Sequence, residues 1–182
     1  MKKNICIIAL LISSFMIAQE KLPYHEIPEH AENYTAGTVA SRMVDGLGFR
    51  YYWATEGLRQ EDLEHKASES GRSSEETIDH LLGLSYFILN SISEKGIKED
   101  KSEQSFEQKR KQTLINFKKA SDILRHSKDI SKYDNKKFPF WNIINGPIAD
   151  ALWHCGQVVM LRRASGNPFN SKVSVFTGTV RD

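Results

Sequence analysis

Cysteine is scarce in this sequence. Its 182 residues include only two, Cys6 and Cys155. Cys6 falls within an apolar N-terminal run and lacks the small residues that precede a lipid-modified cysteine. If that run is removed, Cys155 is the remaining thiol, and a single thiol cannot form an internal disulfide. A disulfide-stapled fold is therefore excluded, and stability must come from packing or from a bound metal.

A hydrophobic run long enough to span a membrane is also lacking. The apolar run within residues 1–18, MKKNICIIALLISSFMIA, follows two lysines, contains two serines and ends in a small residue. This is the composition of a secretory signal peptide. We expect cleavage near Ala18, export to the periplasm or the medium, and no stable membrane insertion of the mature chain. A retained signal anchor is the alternative.

An excess of charge of one sign is lacking as well. The sequence has 25 Lys and Arg against 23 Asp and Glu, and removal of Lys2 and Lys3 leaves 23 of each. Nucleic-acid-binding proteins usually carry a basic excess, so we expect no nucleic-acid partner. The basic cluster at 109–112 is balanced by nearby acids, and we interpret it as a solvated helix face.

Helical periodicity dominates what remains, and neither repeats nor long alternating patterns are present. After an extended surface lead-in over 19–34, one all-α domain is predicted for 35–182. Its helices are expected at 35–59, from Ser73 onward, at 105–126 and at 141–164, with a short extended tail after Asn170. Pro147 either opens or kinks the last helix. The second helix is apolar on two sides, as in a helical bundle.

Three polar residues interrupt an apolar stretch of the last helix, NGPIADALWHCGQ at 145–157. Asp150, His154 and Gln157 follow one another at spacings of four and three and so share one helix face. We expect this face to be buried, where a carboxylate must be paired or bound to a cation. His80 lies on the second of the two apolar sides of helix two. This side can face the same interior of the bundle as Asp150 and His154.

Two histidines and a carboxylate are the ligand types of a catalytic zinc or a non-haem iron site. The spacing therefore predicts a metal on His80, Asp150 and His154, with Gln157 hydrogen-bonded to a ligand. The residues equally allow the alternative that Asp150 and His154 form a buried structural pair without a metal.

Other candidates carry weaker signals. Glu76 follows Ser73 by three residues, as in a capping box, and this role fits better than a second metal site. Glu56, Tyr51 and Tyr52 on the first helix are candidates for acid/base or supporting groups, although core packing explains the tyrosines equally well. Cys155 points away from the polar line and is predicted to be a small core residue.

The chain resembles the DinB-like superfamily in two segments, SSEETIDHLLGLSYFIL from Ser73 and ADALWHCGQVVMLRRASGNP from Ala149. The second is similar to the family's H-x-x-x-H-x-G-Q helix, with Asp150 in the place of its first histidine. The resemblance implies a DinB-like four-helix bundle with a divalent metal on His80, Asp150 and His154. The aspartate in place of the family's first histidine either keeps metal binding in a variant site or marks its loss.

Two functions remain open on the sequence, and it does not decide whether the chain is an enzyme. The first is an exported metal-dependent hydrolase or transferase acting on a small molecule. Its expected cofactor is zinc, with iron or nickel as alternatives. Export separates the chain from cytosolic thiols, which argues against thiol transfer. The second is a non-catalytic bundle that binds a ligand or a protein partner. The resemblance also allows a homodimer, since such proteins often pair.

Overall fold

The computed structural model describes residues 21–100 and 102–182, which are mostly helical. The helices are α1 Ala36–Thr55, α2 Gln60–Glu64, α3 Ser74–Ile92, α4 Phe106–Arg125, α5 Trp141–Ile143 and α6 Ala149–Ala164, with a 3-10 turn at Ser131–Tyr133 and a π-helical turn at Ile144–Ile148. Strands β1 Val173–Ser174 and β2 Thr179–Val180 form an antiparallel hairpin. The predicted helical class is confirmed at this level, while the predicted signal peptide 1–18 lies outside the described residues. None of the described helices has the length and apolar content needed to cross a membrane.

Two long helices begin with reciprocal capping pairs, of which the pair at Ser73 is the predicted one. The Ser73 hydroxyl accepts the backbone N–H of Glu76 at 3.1 Å, and the Glu76 carboxylate accepts the N–H of Ser73 at 2.7 Å. Ser105 and Gln108 repeat this reciprocal pair at the start of α4. These bonds satisfy backbone donors that the first helical turn leaves without partners. The predicted start of α3 and the predicted extent of α4 are therefore confirmed.

The first helix ends earlier than predicted. It stops at Thr55, and Gly57 adopts a φ of +66°, a conformation that glycine reaches without steric cost. Residues Gln60–Glu64 then form the separate helix α2. The prediction of one helix over 35–59 is wrong because Gly57 turns the chain rather than packing inside a helix.

The last helix is divided at Pro147. Proline has no N–H to donate and its ring clashes with the preceding turn of an α-helix. The chain widens here into the π-helical turn, in which the N–H of Ala149 reaches back five residues to the carbonyl of Ile144. Helical structure extends from Trp141 to Ala164 as predicted, and the disturbance expected at Pro147 takes the form of this π-helical turn. Asp150 consequently lies in the first turn of α6.

The four long helices pack in neighbouring pairs: α1 and α3 each lie against both α4 and α6. The apolar stripe of α4 is fully buried, and its members are Leu114, Phe117, Ala120 and Leu124. The basic cluster on α4 is less solvated than predicted, because Arg110 is buried. Its guanidinium pairs with Glu56 and donates to the hydroxyl of Thr55 at 3.0 Å. A cation at this position also faces the negative end of the α1 dipole.

The lead-in before α1 contributes to the core, contrary to the prediction that it lies on the surface. Tyr24 is buried and donates its hydroxyl to Asp45 at 3.2 Å. Its ring lies directly over Gly48 of α1, where an added Cβ would come within 2.4 Å of ring carbons. Gly48 thus allows the Tyr24 ring to pack directly against the backbone of α1.

Substitution of Gly48 by alanine is expected to lower the free energy of unfolding by about 1–3 kcal/mol, because the new methyl group displaces the Tyr24 ring. Gly46→Ala is the matched control on the same helix. The nearest atom to its added Cβ is the mobile Arg50 Nη1 at 3.4 Å, so helix propensity should leave stability unchanged or raise it by up to about 1 kcal/mol. Urea unfolding of both variants measures the difference. Equal effects at the two glycines would contradict the contact with Tyr24.

Candidate metal centre

The three predicted ligands meet where α3 and α6 touch. His80 lies in the second turn of α3, and Asp150 and His154 lie one turn apart on α6. Each side chain offers one donor atom such that all three donors lie within 4.8 Å of one another, a group that could hold a metal ion. The fold thus places His80 close to Asp150, which lies 70 positions later in the sequence.

The distances match those between ligands of a small divalent ion. His80 Nε2 lies 3.2 Å from Asp150 Oδ2, and His154 Nε2 lies 3.4 Å from Asp150 Oδ1. The two imidazole rings meet edge to face with centroids 4.6 Å apart. Donors bound to a tetrahedral zinc at 2.0–2.2 Å are separated by about 3.3–3.5 Å. The carboxylate therefore stands at coordination spacing from both imidazoles.

Gln157 orients one of these imidazoles. His154 Nδ1 lies 2.8 Å from the Gln157 side-chain oxygen, which can only accept a hydrogen bond. When Nδ1 donates to this oxygen, the lone pair of Nε2 in a neutral ring points at the Asp150 carboxylate. Two facing acceptors repel each other unless a proton or a cation lies between them. The contact predicted for Gln157 is the one that orients a metal-binding histidine.

The expected burial of this face is wrong. The side chains of Asp150 and His80 are 41% and 36% exposed, although only 13% of His154 is exposed. On the same helix, Trp153 is 73% exposed, because α6 packs against α1 and α3 and leaves its outer side to solvent. Because Asp150 is partly exposed, its charge does not by itself require a bound metal. The metal prediction depends instead on the positions of the three donor atoms, and the exposure makes the site accessible to small molecules.

Two open grooves adjoin the site. The His80 groove, of about 890 Å³, contains His80 and Asp150, and its apolar walls are Leu84, Phe87, Pro147 and Trp153. The His154 groove, of about 740 Å³, contains His154 and Gln157 together with Thr77, Arg72 and Met160. Trp153 lines both grooves. Trp153 is not among the residues predicted from the sequence. Its position three residues after Asp150, on the neighbouring part of the helix surface, is the feature that would have placed it beside the site.

The remaining acidic and thiol candidates have structural roles. Glu76 caps α3 and forms an ion pair with Lys66 at 3.3 Å, and the Ser73 N–H and this lysine hold the pKa of Glu76 below its usual value. This confirms the predicted cap. Cys155 is buried in the core, as predicted, and burial raises the pKa of its thiol to about 12. Such a thiol is protonated at neutral pH and is not a nucleophile there.

The candidates on the first helix contact α4 rather than the three ligands. Glu56 pairs with Arg110, whose guanidinium also lies 4.7 Å from the centre of the Tyr52 ring. Tyr51 is buried edge-on against Phe117, and burial raises the pKa of its hydroxyl. These contacts favour the packing role that the sequence left open for the two tyrosines.

Comparison of the chain with protein-family models, with curated proteins and with solved structures found no match. The case for a function therefore depends on the chemistry and geometry of His80, Asp150 and His154.

Proposed function

We propose that the chain is an exported, DinB-like metal-binding protein that holds a divalent ion on His80, Asp150 and His154. The observation that carries this proposal is the convergence of three donor atoms from two helices within 4.8 Å. Zinc is the favoured ion, because two imidazoles and a carboxylate are ligands that suit it. Iron and nickel accept the same donors and are the alternatives.

The helix packing supports a four-helix bundle as the fold of this protein. Its four long helices, α1, α3, α4 and α6, are arranged so that each contacts two of the others. The two segments that resemble the DinB-like superfamily fall on α3 and α6, which supply the three ligands. Ligand sites between facing helices are the usual arrangement in bundles.

The ligand number favours a catalytic rather than a purely structural ion. Structural zinc sites use four protein ligands, whereas catalytic sites use three and leave a position open. A divalent ion held here would supply a Lewis acid for hydrolysis or group transfer on a small molecule. The chain's own residues would orient the reaction: Gln157 fixes the His154 ring, and Phe87 and Trp153 offer apolar surface to the substrate.

A shared proton is the competing explanation for the same contacts. Both histidines lie within 3.4 Å of Asp150, so a protonated imidazole could hold the carboxylate without a metal. The chain would then be the non-catalytic bundle, with the grooves binding a ligand or a protein partner. The two proposals differ in whether the protein binds zinc and whether zinc stabilises it.

Elemental analysis of the purified protein, followed by zinc titration of the chelator-treated form, tests the proposal. We expect one equivalent of zinc per chain and a zinc-dependent rise in melting temperature. At a free zinc concentration of 100 times Kd, a single site stabilises the fold by about 2.7 kcal/mol. Magnesium at the same concentration is the control, because it binds imidazole poorly. A metal-free protein whose melting temperature responds to neither zinc nor chelator would favour the shared proton.

A further inference from the structure

A second cavity lies on the other side of α6 from the His80 groove, between α1, α6 and the C-terminal segment. Its volume is about 290 Å³, and Phe49, Trp53, Leu152, Val159 and Phe169 form its apolar walls. None of the three candidate metal ligands lines it. The C-terminal hairpin holds this region together, since Val173 of β1 packs with Phe49 and Trp53.

Two arginines complete the lining of this cavity, Arg50 from α1 and Arg163 from α6. Within the described part of the chain, neither guanidinium has a carboxylate within 4.0 Å, whereas Arg59, Arg110 and Arg125 each form an ion pair. Arg50 donates one N–H to the carbonyl of Gly46 at 3.0 Å, and Arg163 lies over the Phe169 ring at 5.6 Å. Arg50 is half-buried and Arg163 exposed, so the charges lie toward the rim of the cavity.

We propose that this cavity binds a small organic carboxylate with an apolar tail. The volume equals that of about ten liquid water molecules, enough for an acid of about eight to ten heavy atoms. The apolar walls gain from covering the tail, and each arginine retains N–H donors for a charge-assisted bond to the carboxylate at the rim. The combination of a partly open, largely apolar cavity with two positive groups in its lining selects an amphiphilic anion over a neutral or fully polar ligand.

Calorimetric titration of the purified protein with octanoate tests this site. We expect saturable binding, at least about tenfold weaker binding of octanamide, which lacks the charge, and at least about a hundredfold weaker binding of acetate, which lacks the tail. EDTA in the buffer and a parallel titration of His154→Ala keep the candidate metal centre out of the measurement. Octanoate affinity should be the same in both proteins.

Variants locate the binding to the cavity. Arg50→Gln and Arg163→Gln should each weaken octanoate binding about tenfold through loss of a charge-assisted bond, and Val159→Phe should remove it by filling the space. Arg72→Gln, which makes the same charge change at the His154 groove, should have no effect. The arginine variants keep the test valid if Val159→Phe fails to fold. Equal affinities for octanoate and octanamide, unchanged binding in both arginine variants, or no octanoate binding up to millimolar concentration would each overturn the proposal.

Discussion

Replacement of His154 by alanine is expected to weaken zinc binding by at least about a hundredfold, or about 3 kcal/mol. The substitution removes one of three protein ligands, and the remaining pair, His80 and Asp150, belongs to different helices. His80→Ala should have an effect of the same size. Gln157→Leu should weaken zinc binding less than either histidine variant, by about tenfold, because it releases the His154 ring without removing a donor. Competition with a chromophoric chelator measures all three affinities.

Two comparisons separate loss of a ligand from general damage. His126→Ala is the matched control, because His126 lies at the exposed end of α4 with Nδ1 beside the carbonyl of Asp122. Zinc affinity should be unchanged in that variant. The apo form of His154→Ala should melt below the apo wild type, since only 13% of this side chain is exposed, and zinc should raise the melting temperature of the wild type alone. If zinc has no effect on either form, the shared proton explains the cluster.

Local signals in the sequence were sufficient for the helix starts and for one half of the site. The capping box predicted at Ser73 acts within four residues, so the sequence contains the whole interaction. The four-residue spacing from Asp150 to His154 likewise fixes their common face. His80 required one further step, the inference that two apolar stripes on the second helix imply two neighbours. These predictions held because each depends on helix periodicity.

Features that depend on tertiary neighbours were not predictable in the same way. Trp153 and the other apolar residues of α6 suggested a buried helix, but the structure covers only the side facing α1 and α3. The sequence placed Arg110 in a solvated basic cluster, but in the structure its guanidinium contacts the C-terminal end of α1. Tyr24 is buried because Gly48 leaves space for its ring. In each case the decisive contact joins segments that are distant in sequence.

Another such contact, centred on Asp62, ties the end of α6 to α2. The Asp62 carboxylate is fully buried and accepts hydrogen bonds from Arg59 Nε at 2.9 Å, the Ser165 hydroxyl at 2.5 Å and the Asn167 amide at 2.6 Å. The Arg59 side chain, then Ser165 and Asn167, hold the pKa of Asp62 well below its usual range. Asn167 also donates to the carbonyl of Gly57, so the same network fixes the turn that ends α1.

Substitution of Asp62 by asparagine should lower the free energy of unfolding at pH 7 by about 2–4 kcal/mol, because charge-assisted bonds are lost and an amide N–H₂ faces other donors. The loss should shrink in acid. A carboxyl with a depressed folded pKa stabilises the protein above its unfolded pKa of about 3.9, and this contribution disappears as pH falls through the folded value. Asparagine does not titrate, so the difference between the two proteins should begin to narrow below about pH 4 and continue to narrow down to the depressed folded pKa.

Urea unfolding at pH 7, 4, 3 and 2 in the presence of EDTA measures this convergence without interference from bound metal. Asp129→Asn is the control, because its pKa is also lowered, by Ser131, but in an exposed turn. Exposed pairs contribute little, so the stability of this variant should match that of the wild type at every pH. A constant difference between Asp62→Asn and wild type from pH 7 to pH 2 would show that shape rather than ionisation makes Asp62 stabilising. Convergence would instead identify the ionised carboxylate as the group that joins α2 to the end of α6.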